Sequence, residues 1–116
     1  MFIFFSAQPP KDAPRNIRDW FITRTSLICR FDQVSDGGSN GDITGYKVYY
    51  RPASTISGAN SIKTMNVSSS STSFILTGLK EDQEYHIWMT AVNSAGEGPK
   101  SQTQISRTAK APSGES

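Results

Sequence analysis

This chain of 116 residues has one cysteine and one histidine. Cys29 therefore has no partner for an internal disulfide, and zinc motifs of the Cys-x-x-Cys kind are excluded. Long apolar runs are missing too. The longest, the opening MFIFF, has five residues and no preceding positive charge, too little for a signal-peptide core or a membrane span. It reads as a fragment remnant, and any export signal of a parent protein is expected elsewhere. Charge of one sign is not concentrated either. Twelve Lys and Arg stand against ten Asp and Glu, scattered to a net +2, so there is no footprint for nucleic acid or a membrane surface. Helical periodicity and internal repeats are absent. At this length the chain forms one domain and buries roughly two-thirds of its unfolded surface. Its low apolar share, 35%, suits a thin two-layer architecture.

What is present is alternation. Seven segments predict strands: Asn16–Ile22, Ser26–Phe31, Gly45–Arg51, Ser61–Val67, Ser73–Leu76, Tyr85–Val92 and Ser101–Thr108. In the second, Leu27, Cys29 and Phe31 share one face. In the third, Tyr46, Val48 and Tyr50 oppose Lys47, Tyr49 and Arg51. In the sixth, Tyr85, Ile87, Met89 and Ala91 oppose His86, Trp88, Thr90 and Val92. Glycine, proline, serine and asparagine punctuate the gaps, notably DQVSDGGSNGD at 32–42, a polar connection at 53–60, a serine run at 68–71 and the turn at 93–99. Short strands at such spacing predict a seven-stranded antiparallel β-sandwich of the all-β, immunoglobulin-like class. The expected inward set is Ile17, Ile22, Leu27, Cys29, Phe31, Tyr46, Val48, Tyr50, Phe74, Leu76, Leu79, Tyr85, Ile87, Met89 and Ala91. Prolines at 9, 10 and 14 mark residues 1–12 as a tail or linker. KAPSGES marks 110–116 as another, leaving 13–109 as the domain.

Over roughly Ala13–Thr108 the chain resembles a fibronectin type III domain. The resemblance is carried by Ala13-Pro14-Arg15-Asn16-Ile17, Thr25-Ser26-Leu27, Gly45-Tyr46-Lys47-Val48-Tyr49-Tyr50, Leu76-Thr77-Gly78-Leu79, Glu84-Tyr85 and the run from Ala91 to Pro99. It implies a tyrosine corner, with Leu79 and Tyr85 in the core and the Tyr85 hydroxyl bonded to backbone in the preceding turn. Phe31 stands where the family usually has tryptophan. Asp19 occupies a usually apolar position, and a bulge there is expected to turn Trp20 inward. Gln102, Gln104 and Ser106 also sit at usually apolar positions. The last strand is therefore either shifted by one residue, which reverses every side chain, or weakly packed.

No constellation points to chemistry, and no cofactor is implied. His86 lies on an outward face without converging partners. Asp32, Asp36, Asn40 and Asp42 share a loop but lack the spacing and terminal carboxylate of a calcium site. No helix follows Gly96-Glu97-Gly98 to make it a phosphate cradle. Asn66-Val67-Ser68 is an N-glycosylation sequon. The candidate protein-binding residues are Lys47, Tyr49, Arg51, His86 and Trp88 on one sheet face. Asn93 and Glu97 are added from the turn at 93–99, which shares one end of the sandwich with the loop at 32–42. The plain alternative for the face is a cation–aromatic ladder that only shields the sheet. The resemblance implies a non-catalytic binding or spacer module of an extracellular adhesion, receptor or matrix protein. Its partners would be other proteins and neighbouring domains, with neither nucleic acid nor membrane insertion. The alternatives are a cytoplasmic module of a filament-associated protein and an accessory domain of a modular enzyme.

Overall fold

A computed structural model describes residues 7–53 and 62–112. The MFIFF segment, most of the polar connection at 53–60, the residue expected to open the fourth strand and the last four residues of the exit segment lie outside the described residues. The elements run β1 (Arg15–Ile22), β2 (Leu27–Asp32), a one-turn helix α1 (Asp36–Ser39), β3 (Ile43–Pro52), β4 (Lys63–Ser68), β5 (Ser73–Leu76), β6 (Glu84–Asn93), β7 (Gly96–Glu97) and β8 (Gln104–Arg107).

Two antiparallel sheets face each other. One has the order β1-β2-β5; the other runs β4-β3-β6, with β7 and β8 both paired to β6. β3 occupies one edge of β6 from Tyr85 to Asn93, so β7 and β8 share the other edge. They are two halves of one strand, and the sandwich has seven strand positions. Pro99 has no N–H to donate in the break. There Ser101 stands in for the ladder: its N–H donates to the Met89 carbonyl at 2.8 Å, and its hydroxyl accepts from the Met89 N–H at 2.9 Å.

Alternation puts Leu27, Cys29 and Phe31 against Val48, Ile87 and Met89, all 0–1% exposed, with Tyr46, Phe74, Leu76, Tyr85 and Ala91 around them. Phe31 meets Tyr46 edge-on at 5.0 Å and leans on Phe74 at 6.1 Å. The Lys80 N–H donates to the Tyr85 hydroxyl at 2.9 Å, closing the corner over buried Leu79. Ile17 and Tyr50 are only partly buried against this core. Ile22, expected inside, is 39% exposed at the end of β1.

β1 departs from simple alternation. Its register to β2 slips between Arg15 and Arg18 and again between Asp19 and Phe21. The first slip uses Asn16, whose left-handed φ of 58° suits an asparagine. The second slip is the expected bulge, with the opposite result: Trp20 is 59% exposed and lies outside, beside Phe21. Asp19 stands opposite Cys29 and, though exposed at the sheet edge, its carboxylate turns toward the core and accepts from the Ser106 hydroxyl and, at 4.0 Å, from the Cys29 thiol. β8 keeps its register, with Ser106 opposite Tyr85 and Ile105 opposite His86. Its inner side is therefore polar: Ser106 and Thr108 are 3% and 2% exposed. Thr108 Oγ1 donates to the Lys80 carbonyl at 2.6 Å and accepts from the Gln83 N–H at 2.9 Å.

The segment ahead of β1 was expected to be a linker, yet residues 8–12 are tied to the sandwich. The Lys11 and Asp12 N–H groups both donate to the Gly38 carbonyl, at 2.8 and 3.0 Å. Asn40 Nδ2 donates to the Pro9 carbonyl at 2.9 Å. Two glycines permit this approach. A Cβ on Gly38 would lie 2.0 Å from Asp12 Oδ2, and one on Gly98 would lie 2.6 Å from the Pro10 carbonyl oxygen.

Candidate interaction surface

The outward face of the larger sheet follows from register. Tyr49 stands opposite Trp88, Lys47 opposite Thr90, and Arg51 opposite His86. Pairs set directly across an antiparallel ladder bring their side chains together. The Tyr49 and Trp88 rings stack at 5.7 Å with planes 3° apart. Lys47 Nζ lies 5.3 Å from the Tyr49 ring centre, and Lys100 Nζ 4.5 Å from that of Trp88. A stack of this kind adds about 0.5–1.5 kcal/mol beyond burial, and each exposed cation–aromatic contact about 0.5–1 kcal/mol.

Glu97 joins the face because β7 sets it opposite outward Val92. Its carboxylate accepts from the Tyr49 hydroxyl and, at 2.6 Å, from Thr90 Oγ1. Partial burial pushes the Glu97 carboxyl upward. The bonds from Thr90 and Tyr49, with the charge of Lys47, outweigh that and hold it below the usual carboxylate range. The Tyr49 phenol moves the other way, to about 12, through burial first and then the bond and charge of Glu97. It stays a neutral donor. His86 Nε2 lies 3.7 Å from Glu84 Oε2. Asn66 is exposed on β4, directly across from Lys47.

Asn93 requires a correction. It is 4% exposed and works inside the fold. Its Nδ2 donates to the carbonyls of Gln8, Ser39 and Asn40 at 2.7, 3.0 and 3.2 Å, and its Oδ1 accepts from the Ala95 N–H at 2.8 Å. It pins three segments together and has no free group to offer a partner. Lys100 is the residue that pattern reading missed. It sits in the break of the last strand, and only three-dimensional register carries it to Trp88.

Among the described residues, no three of His, Cys, Asp and Glu are grouped to hold a metal ion. A groove runs along the break, between Asp12–Ile17 and Lys100–Gln104. Its Ser101 hydroxyl is engaged by the Met89 N–H and the Gln102 carbonyl. Its Asp32 is engaged by Asn16 and Arg18.

Two antiparallel sheets packed over an apolar core, with a tyrosine corner at one edge, define the immunoglobulin-like class of β-sandwich. Within that class the chain belongs to the fibronectin type III family, whose model matches residues 12–107. It is 30% identical over 112 residues to human protein sidekick-1, covering 97% of this chain and 5% of that protein. It is 28% identical over 111 residues to neural cell adhesion molecule L1.1 of Danio rerio, covering 89% of this chain and 9% of that one. The third fibronectin III domain of human KIAA0343 protein superposes with a TM-score of 0.83 at 26% identity, covering all of this chain and 96% of that one. The chain thus spans less than a tenth of these curated relatives. Fibronectin type III domains in such adhesion proteins are non-catalytic.

Proposed function

We propose that this chain is a non-catalytic, protein-binding or spacer module of a multidomain cell-surface adhesion protein. Its working surface is the ladder of Lys47, Tyr49, Trp88, Glu97 and Lys100, bordered by Arg51 and His86. The observation that carries the reading is the state of that face. Aromatic rings are held parallel, the Glu97 carboxylate is matched by two hydroxyl donors, and cations flank the stack on both sides. A rigid, amphipathic surface of this kind loses little side-chain freedom when a partner covers it. The adhesion-protein relatives support the same reading.

Partner capture by the intact chain, compared with Trp88→Ala and Lys100→Ala, tests the surface. Binding reduced about tenfold or more in Trp88→Ala supports it; unchanged capture in both variants refutes it. The compartment is tested separately. The full-length protein taken from its own cells is expected to show a mobility shift that endoglycosidase removes and Asn66→Gln abolishes, and an Asn66 without glycan there would favour a cytoplasmic parent. The rival reading, a cytoplasmic structural module, is compatible with unpaired Cys29, which suits a reducing compartment equally well.

A further inference from the structure

The smaller sheet turns apolar side chains to solvent. Its register sets Phe21 opposite Ile28 and Ile28 opposite Ile75, so one apolar row crosses all three strands. Phe21 is 58% exposed and Ile75 46%. The β1 bulge adds Trp20, whose ring lies under the Arg30 guanidinium at 3.6 Å. A solvent-facing sheet surface ordinarily alternates to polar residues, and a contiguous apolar patch marks an interaction site. The charges beside the row are also unbalanced. Arg18 stands directly opposite Arg30, a placement that disfavours strand pairing. Asp32 answers Arg18 at 3.4 Å, but among the described residues no carboxylate reaches Arg30.

We infer that this face docks a protein segment carrying both apolar and acidic side chains. Its apolar groups cover Trp20, Phe21 and Ile75, and its carboxylates meet Arg30 and Arg18. A second copy of the chain does not fit, because two such faces would set arginine against arginine. An anionic membrane fits less well: the Arg30 guanidinium carbon sits 3.6 Å over the Trp20 ring, so the indole cannot enter the acyl region without taking a guanidinium with it. The surface is on the opposite sheet from the Tyr49–Trp88 ladder, so either can fail without the other.

The test is an NMR titration of the isotope-labelled 116-residue chain with three probes. One is a short peptide alternating glutamate with isoleucine, one alternates lysine with isoleucine, and the third is a vesicle of phosphatidylcholine and phosphatidylserine. The expected result is amide shifts confined to β1, β2 and β5 with the glutamate peptide, weakening as salt rises. Trp20→Ser should cut that affinity about tenfold. Arg30→Glu should do the same and turn the preference toward the lysine peptide. If Trp20→Ser does not fold, Arg30→Glu decides alone, since its side chain leaves the core untouched. Equal response to both peptides, no response to the glutamate peptide, preferential vesicle binding, or self-association of the free chain through Trp20 would each overturn the inference.

Discussion

The Tyr85 hydroxyl and the Cys29 thiol are buried in one core and are accommodated differently. Tyr85 accepts the Lys80 N–H at 2.9 Å, so Tyr85→Phe leaves that donor without its acceptor. The expected loss is about 1 kcal/mol. It should appear as a lower urea midpoint with unchanged slope and as faster exchange of the Lys80 amide; an unaltered midpoint contradicts the corner. Cys29 has an acidic neighbour instead. Burial first, and then the Asp19 charge, push its thiol from 9.0 to about 12. A thiol so far from ionisation is a poor nucleophile. Iodoacetamide at neutral pH should label Cys29 only as fast as the native state opens, and denaturant should accelerate it. The linked stability has a definite direction. With the folded value raised, this contribution is complete below 9.0 and disappears as pH climbs toward 12. The stability gap between the wild type and Cys29→Ala should therefore narrow across that alkaline window. A gap that widens there would contradict a buried neutral thiol.

Strands β2, β3 and β6 announce themselves in the sequence because both of their faces are specified. Leu27, Cys29 and Phe31, then Tyr46 and Val48, then Tyr85, Ile87, Met89 and Ala91 point inward, while the residues between them, every charged one included, point the other way at a strict period of two. β1 and β8 were less legible for a physical reason. A bulge inserts one residue and reverses the phase beyond it, and nothing in DWFI states where the insertion falls. The sequence allows a bulge to turn Trp20 inward, whereas the bulge in the fold sends it out and turns the Asp19 carboxylate toward Cys29 and Ser106. In β8 the family's apolar positions hold Gln104 and Ser106, and a register shift and a polar inner side read alike in sequence. The ladder was half visible. Lys47, Tyr49 and Trp88 follow from alternation, but Lys100 arrives by way of a broken strand. Glu97 gives this element a testable signature. Its carboxyl titrates below its unfolded value in the fold, so its contribution is complete above the ordinary range near 4.5 and is lost as pH falls through the lower, folded value. Glu97→Gln should be less stable than the wild type at neutral pH and converge with it in acid. Urea midpoints measured down the acid limb check this, and parallel curves at every pH would show that the Tyr49 and Thr90 bonds carry no linked stability.

The sandwich as a whole is closed at one end by a junction that no local pattern encodes. Asn93 reaches Gln8 across 85 positions of sequence, and in the same junction it holds the carbonyls at Ser39 and Asn40. Two loops and the lead-in to β1 thus share one amide, which is why Asn93 reads as a loop residue in the sequence and behaves as a core residue in the fold. The prolines at 9 and 10 set an extended path, but the path is fixed only because Gly38 and Gly98 leave room for it. Gly98→Ala tests this directly, since the added Cβ would fall 2.6 Å from a backbone oxygen that has no flexible end to move. The sandwich core does not depend on that contact, so unfolding should stay a single cooperative transition, unaffected by EDTA or reductant, with a loss of about 1–3 kcal/mol. The local consequence should be larger than the global one. The Lys11 and Asp12 amides, now bonded to the Gly38 carbonyl, should exchange faster in Gly98→Ala while the β3–β6 ladder keeps its protection. Gly37→Ala, where a Cβ meets nothing within 4 Å, serves as the control and should leave those amides unchanged. Equal protection of Lys11 and Asp12 in all three proteins would mean that the lead-in is held by its hydrogen bonds alone and that the close approach at Gly98 is incidental.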